Sequence, residues 1–146
     1  MEIILKDLIN NDDIHKFKDI LTEFYEEIEH NIVPDNDLEI IISDFINKGY
    51  IKIAVSNNEI IGFICIIESS AIYAGGKFGV INELYVKPRF RSKGIGKKIL
   101  LYADQLKEMK GWSRLELSTP EELKWKRTLN FYLKEGFTPT GVRMKK

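Results

Sequence analysis

Residues 83 to 100, "ELYVKPRFRSKGIGKKIL", hold the densest run of residue types that could do chemistry. Arg91, Ser92, Lys93, Gly94, Ile95, Gly96 and Lys97 combine cationic side chains with two glycines at the mouth of an amphipathic segment. A helix N-terminus carries unpaired backbone N–H groups and partial positive charge, so it receives anions, phosphate above all. Glycines there remove the side chains that would keep the backbone from the ligand. A P-loop would require Gly, four residues, then Gly-Lys-Ser/Thr. Here Arg91 stands where its first glycine should be, and Lys98 follows Lys97 where a hydroxyl is needed. A dinucleotide fingerprint matches Gly94 and Gly96, with Glu116 as its ribose-binding acid, but Ile99 occupies the third glycine position. The loop from Val86 is also too long for the tight turn that fingerprint makes.

The elements around this loop follow from periodicity. A first strand spans "EIILKDLI", residues 2 to 9; Ile14, Phe17, Leu21, Phe24 and Ile28 then recur at helical spacing. A second helix carries Leu38, Ile41, Ile42, Phe45 and Ile46, opened by Pro34-Asp35 and stopped at Gly49. Two strands flank the turn Ser56-Asn57-Asn58 in "YIKIAVSNNEIIGFICIIES". "AIYAGG" at 71–76 reads as a loop, "FGVINELYV" as a fourth strand, and a third helix runs from about Gly96 to Lys110 with Gly111 ending it. "SRLELS" is a fifth strand. A fourth helix is expected from the Thr119-Pro120-Glu121-Glu122 start signal, with a break near Trp125 and an end at Gly136, and a last strand from Phe137. This order is neither strict βα alternation nor two blocks, so it predicts one α/β domain with a mixed sheet over residues 1–146.

Composition agrees with one globular unit. The 146 residues are 44% apolar, and 22 Lys plus Arg balance 22 Asp plus Glu. The balance argues against a general nucleic-acid role, so any basic patch is local. No apolar run reaches the roughly 18 residues of a membrane span, and no signal peptide is read at the start, so a cytoplasmic protein is expected. The single cysteine, Cys65, lies in "IIGFICII" and reads as a small core hydrophobe. His15 and His30 are far apart in sequence and without a Cys/His cluster, so no metal site is argued.

Arg91-x-x-Gly94-x-Gly96, preceded by "ELYVKP" and followed by an amphipathic helix, resembles the acetyl-CoA-binding signature of the GNAT N-acetyltransferases. "LNFYLKEGF", residues 129 to 137, is similar to the family's "FYxxxGF" block, and Gly62 in "EIIGFI" matches a usual family strand. The resemblance covers the element order of the whole chain. It implies a mostly antiparallel central sheet flanked by helices and transfer of the acetyl group of acetyl-CoA to a primary amine, small-molecule or protein, by direct attack in a ternary complex. It also implies that the Arg91–Gly96 loop cradles the CoA pyrophosphate and that the backbone of Leu84, Tyr85 and Val86 meets the pantetheine arm, with "LELS" at 115–118 opposite.

A lysine-type amine is only about 0.04% neutral at pH 7, so a proton acceptor is needed. Glu83, on the fourth strand close to where the resemblance implies that the fourth and fifth strands splay apart, is the candidate base, with ordered water as its rival. Tyr132 matches the family tyrosine that gives the departing thiolate a proton. A non-catalytic acyl-CoA sensor and a nucleotide-binding domain are the alternatives. Two features depart from the family pattern. Trp125 stands where an asparagine touching the CoA arm is usual, and the tail after Phe137 is short for a final hairpin, leaving a sheet edge that a second copy, in a homodimer, could cover. The acceptor would meet the link between the first two helices, which contains Glu26, Glu27, Glu29 and His30, the loop at 68–78, and the C-terminal tail.

Overall fold

A helix begins at Asn11 because Asn10 caps it. The Asn10 side-chain oxygen accepts from the Asp13 backbone N–H at 2.8 Å, and Asp12 and Asp13 put negative charge on the first turn. In this computed structural model, which describes residues 1–31, 33–119, 125–141 and 143–146, that helix is α1 (Asn11–Glu27). It follows strand β1 (Ile4–Asp7) and precedes α2 (Asp35–Lys48), which stops at Gly49 as expected. Strands β2 (Tyr50–Ser56), β3 (Glu59–Ala71) and β4 (Gly76–Val86) come next. A single 3₁₀ turn, Pro88–Phe90, leads to α3 (Ile95–Lys110), β5 (Leu115–Leu117) and α4 (Lys126–Lys134).

The chain divides into two compact units, Met1–Glu116 and Leu117–Lys146. The five strands lie in the order β1-β2-β3-β4-β5, and the pairs β1/β2, β2/β3 and β3/β4 are antiparallel. Beside β4, the Ser113 N–H donates to the Lys77 carbonyl at 2.9 Å and the Gly79 N–H to that of Arg114 at 3.0 Å. Residue numbers rise together across those bonds, the parallel sense, so the sheet is mixed and mostly antiparallel.

Helices cover the sheet on opposite faces. Phe63 of β3 meets the Phe17 ring of α1 edge-on at 4.9 Å. Its neighbour Gly62 faces the other way, where an added Cβ would lie 3.2 Å from Ile99 of α3. Successive strand residues point to opposite faces, so α1 and α3 sandwich β3. Ile60, Ile61, Phe63, Ile64, Cys65 and Ile66 are accordingly all buried, a continuous apolar run as in strands covered on both sides. Cys65 packs in this core, as its apolar setting predicts. No helix of the described residues is long and apolar enough to cross a membrane.

In the second unit, α4 starts at Lys126 after its N-cap Trp125, and the chain leaves it where Gly136 takes φ 98°. The Phe137 N–H closes that end by donating to the Tyr132 carbonyl at 3.0 Å. The helix-start signal at Pro120-Glu121-Glu122 lies outside the described residues. The strand expected from Phe137 is not formed: no described residue after Gly136 is in a strand. Pro139 has no N–H to give a ladder, Gly141 sits at φ 151°, and the described residues after Phe137 are exposed, so no face is buried that would fix a strand register.

Candidate active site

Glu83 reaches its position through an irregularity in β4. Cys65 of β3 pairs with Glu83, whereas Ile66 pairs with Ile81, leaving Asn82 as an extra residue. Ile81 therefore shares the α3 face with Ile66, and Glu83 shares the α1 face with Cys65. In an unbroken strand Ile81 and Glu83, two apart, would share one face. The bulge turns a carboxylate toward the C-terminal half of α1.

Glu83 is partly buried there. Glu83 Oε2 is buried and has no hydrogen-bond partner among the described residues. Burial raises the Glu83 carboxyl from its usual range to about 7. Tyr25 of α1 and Cys65 both feel its charge: burial pushes each of their pKa values up, and Glu83 adds to the rise. A carboxylate in this state is divided between its two protonation forms near neutral pH, which suits a group that must accept a proton and release it.

Two residues beyond Glu83, on the same face, the Tyr85 ring packs against Phe24 at 5.2 Å, and its hydroxyl donates to Glu27 Oε1 at 3.1 Å. The backbone here alternates in its direction. The Lys87 N–H donates to the Ile61 carbonyl at 2.9 Å, so antiparallel alternation directs the Tyr85 backbone toward β3 and that of Leu84 and Val86 toward the opposite edge. The β5-side bonds to Lys77 and Gly79 lie at the other end of β4, about 20–30 Å away along an extended strand.

Beyond Val86 the chain prepares a helix entrance. Ser92 and Gly94 adopt φ 63° and 80°, and Gly94 caps α3 with no side-chain bond. The first intrahelical bond runs from the Lys98 N–H to the Gly94 carbonyl at 3.1 Å. The N–H groups of Ile95, Gly96 and Lys97 therefore have no acceptor within the helix. An added Cβ at Gly94 would have no atom within 4 Å, so the entrance is open on that side. Lys93 and Lys97 are exposed beside it. Arg91 is turned elsewhere: its Nε donates to the Val86 carbonyl at 2.8 Å and its terminal nitrogen to Glu27 Oε2 at 2.7 Å.

The first unit thus brings Glu83, Leu84, Tyr85, Val86 and the 91–97 loop onto one strand and its exit. Tyr132 lies in the second unit. It is buried on α4 between Phe131 and Phe137, at ring distances of 5.5 and 5.6 Å, and burial raises its hydroxyl to about 12. Within the acidic run ending α1, Glu27 is committed to Arg91 and Tyr85. His30 rests on the Tyr25 ring at 5.5 Å, brought there by Glu29 at φ 56°. Sequence reasoning missed Tyr25 as a neighbour of Glu83. Its signal lay only in helical spacing, which places residues 21, 24, 25 and 28 along one stripe.

Comparison with known proteins gives this geometry a family. The profile described as "Acetyltransferase (GNAT) domain" matches residues 47–139, across both units. An aminoalkylphosphonate N-acetyltransferase of Salmonella typhimurium is 30% identical over 95 residues, 65% of this chain. The match spans 60% of that relative's length. Among solved structures, a transcriptional regulator from Bacillus halodurans C-125 superposes with TM-score 0.83 at 15% identity, over 99% of this chain and 100% of the other. An aminoglycoside acetyltransferase from an uncultured soil metagenomic sample gives 0.78 at 20% identity, over 99% and 95%. At such identities the two structures speak for the fold alone, whereas the profile covers well over half of the sequence. The chain belongs to the GNAT acetyltransferase family.

Proposed function

We propose that the chain is an acetyl-CoA-dependent N-acetyltransferase whose acceptor is the primary amine of a small molecule, and that residues 1–146 act as one catalytic domain. The Salmonella relative's named activity supports the amine class, and the family profile crossing both units supports the single domain. The observation that carries the reading is Glu83: a partly buried carboxylate whose Oε2 is buried and has no hydrogen-bond partner among the described residues, on the strand that leads into an open helix entrance with no side-chain cap.

The residues fit the cofactor's chemistry. The free N–H groups of Ile95, Gly96 and Lys97 suit pyrophosphate oxygens, and Lys93 and Lys97 add full charges. Each charge at a helix terminus contributes about 0.3–1 kcal/mol, while micromolar binding needs about 8 kcal/mol, so the loop needs help. The outward backbone groups of Leu84 and the outward N–H of Val86, whose carbonyl is held by Arg91, provide it as a strand edge for the amide-bearing arm. Acetyl-CoA supplies an activated acyl group as a thioester.

Glu83 accepts the proton that the acceptor ammonium must lose before nitrogen can attack the thioester carbonyl. With a pKa of about 7 it is a stronger base by roughly two to three orders of magnitude than an ordinary carboxylate. Tyr132 is assigned to the other proton. Its hydroxyl stays protonated through neutral pH and donates to the sulfur as the C–S bond breaks. The net change is one N–C bond formed and one C–S bond broken, while the ammonium nitrogen gives up two protons: one leaves through Glu83 to water, and the other balances the proton that Tyr132 gives to sulfur. The family setting is the support for a cytoplasmic site of action.

The test is thiol release from acetyl-CoA against a panel of aminoalkylphosphonates, aminoglycosides, polyamines, amino acids and peptides, with Glu83→Gln run in parallel. Acceptor-dependent release that falls with Glu83→Gln supports the reading. Release no faster than the background hydrolysis for every amine overturns it.

A further inference from the structure

The basic residues around the loop divide into two groups. Lys87 lies 3.1 Å from Glu59 and 3.6 Å from Glu23, Arg89 pairs with Glu59, and Arg91 pairs with Glu27. Lys93 and Lys97 form no ion pair among the described residues. The cation that opens the signature is thus already neutralised from α1, and the two lysines further along are not.

Arg91 and Glu27 bind in a way that one charge pair does not require. The Arg91 guanidinium spans two acceptors, the Val86 carbonyl at 2.8 Å and Glu27 Oε2 at 2.7 Å, and lies over the Tyr85 ring at 5.3 Å. Glu27 in turn uses its other oxygen to accept from the Tyr85 hydroxyl at 3.1 Å. With side chains 29% and 24% exposed, the pair is shielded enough to hold its geometry. One carboxylate at the end of α1 thereby ties the last turns of that helix to β4 and to the start of the loop.

We propose that Glu27 and Arg91 are positioning residues. Together they form a strut that fixes the loop from Val86 to Gly94, so that the first-turn N–H groups of α3 stay aimed at the pyrophosphate, whose charge is met by Lys93 and Lys97. This rests on the acetyl-CoA reading above. It also removes Glu27 from the acceptor site. Lysine cannot replace arginine at position 91, because a single ammonium has no fork to span both acceptors.

The test combines CoA titrations at two salt concentrations with amide hydrogen exchange on the CoA-free protein, for the wild type, Glu27→Ala, Glu27→Gln, Arg91→Ala, Arg91→Lys, the Glu27→Ala/Arg91→Ala double variant and the Lys93→Ala/Lys97→Ala double variant. A strut predicts about tenfold weaker CoA binding for Glu27→Ala and for Arg91→Ala, with the pair together no worse than either alone. Arg91→Lys is nearly as weak as Arg91→Ala. The salt dependence of binding is kept in Arg91→Ala and flattened in the lysine double variant. The amides of Phe90, Arg91 and Lys98 exchange faster in Glu27→Ala and Glu27→Gln. The proposal is overturned if Arg91→Lys binds like wild type, if Arg91→Ala flattens the salt dependence, or if Glu27→Ala leaves both binding and exchange unchanged. Should the wild type bind no CoA, the acetyl-CoA reading fails by itself, and the exchange rates alone decide whether the strut exists.

Discussion

Glu83 stands directly across the β3–β4 ladder from Cys65, although Ile81, two residues earlier, pairs with Cys65's neighbour Ile66. That one-residue slip sets both the direction of the carboxylate and its burial. Its chemical consequences can be measured separately from those of the helix entrance.

The pH dependence follows from the raised carboxyl. Below about 7, Glu83 holds its proton and cannot accept another, so kcat/KM should climb tenfold per pH unit and level off above about 7. Glu83→Gln should lower the plateau by about 10²–10⁴ and abolish that limb. A pH–rate profile of both proteins checks this, and a limb near 4 in the wild type would contradict it.

The same burial has a cost in stability. Glu83 binds a proton more tightly folded than unfolded, so its contribution is fully present below about 4.5 and is lost as pH rises through about 7. Glu83→Gln should therefore gain up to about 3 kcal/mol over the wild type at pH 8, and the difference should shrink toward zero near pH 4. Urea denaturation at the two pH values reads it. Equal stability gaps at both would show that the carboxyl is not desolvated.

Tyr132→Phe keeps the ring that packs on Phe131 and Phe137 and removes only the hydroxyl. Stability should change by no more than about 1 kcal/mol, while kcat should fall by about 10²–10⁴ with CoA affinity retained. Loss of CoA binding together with kcat would assign Tyr132 to packing.

Gly94→Ala isolates the entrance. The added methyl meets no neighbour within 4 Å, so its cost to folding is conformational, about 1 kcal/mol for leaving glycine's freedom at φ 80°. CoA affinity should fall by more than that, because the methyl stands where the pyrophosphate approaches. Calorimetric titration beside thermal melting separates the two effects. An affinity unchanged by the methyl would move the anion away from Gly94.

Much of this architecture was legible in the sequence. Periodicity placed α1 and α2, Gly49 and Gly111 marked helix ends, and the Asn57-Asn58 turn joined β2 to β3, because each signal acts within a few residues. Gly94 and Gly96 located the helix entrance for the same reason. What lay hidden depends on distant partners. The bulge at Asn82 left only a trace, "VINELYV", in which apolar residues 81 and 85 bracket Glu83 at one parity; strict alternation would have set all three on one face. The commitment of Arg91 to Glu27 joins residues 64 apart in sequence, and no local pattern announces it. The strand expected from Phe137 failed because the described residues beyond it are exposed and give a strand no buried face to fix it.

Titration calorimetry with acetyl-CoA, with ATP and NAD run alongside, tests the central claim most directly. The account predicts micromolar acetyl-CoA binding, at least tenfold tighter than either nucleotide and weakened in Gly94→Ala. No heat with acetyl-CoA, or tighter binding of ATP or NAD, would contradict it.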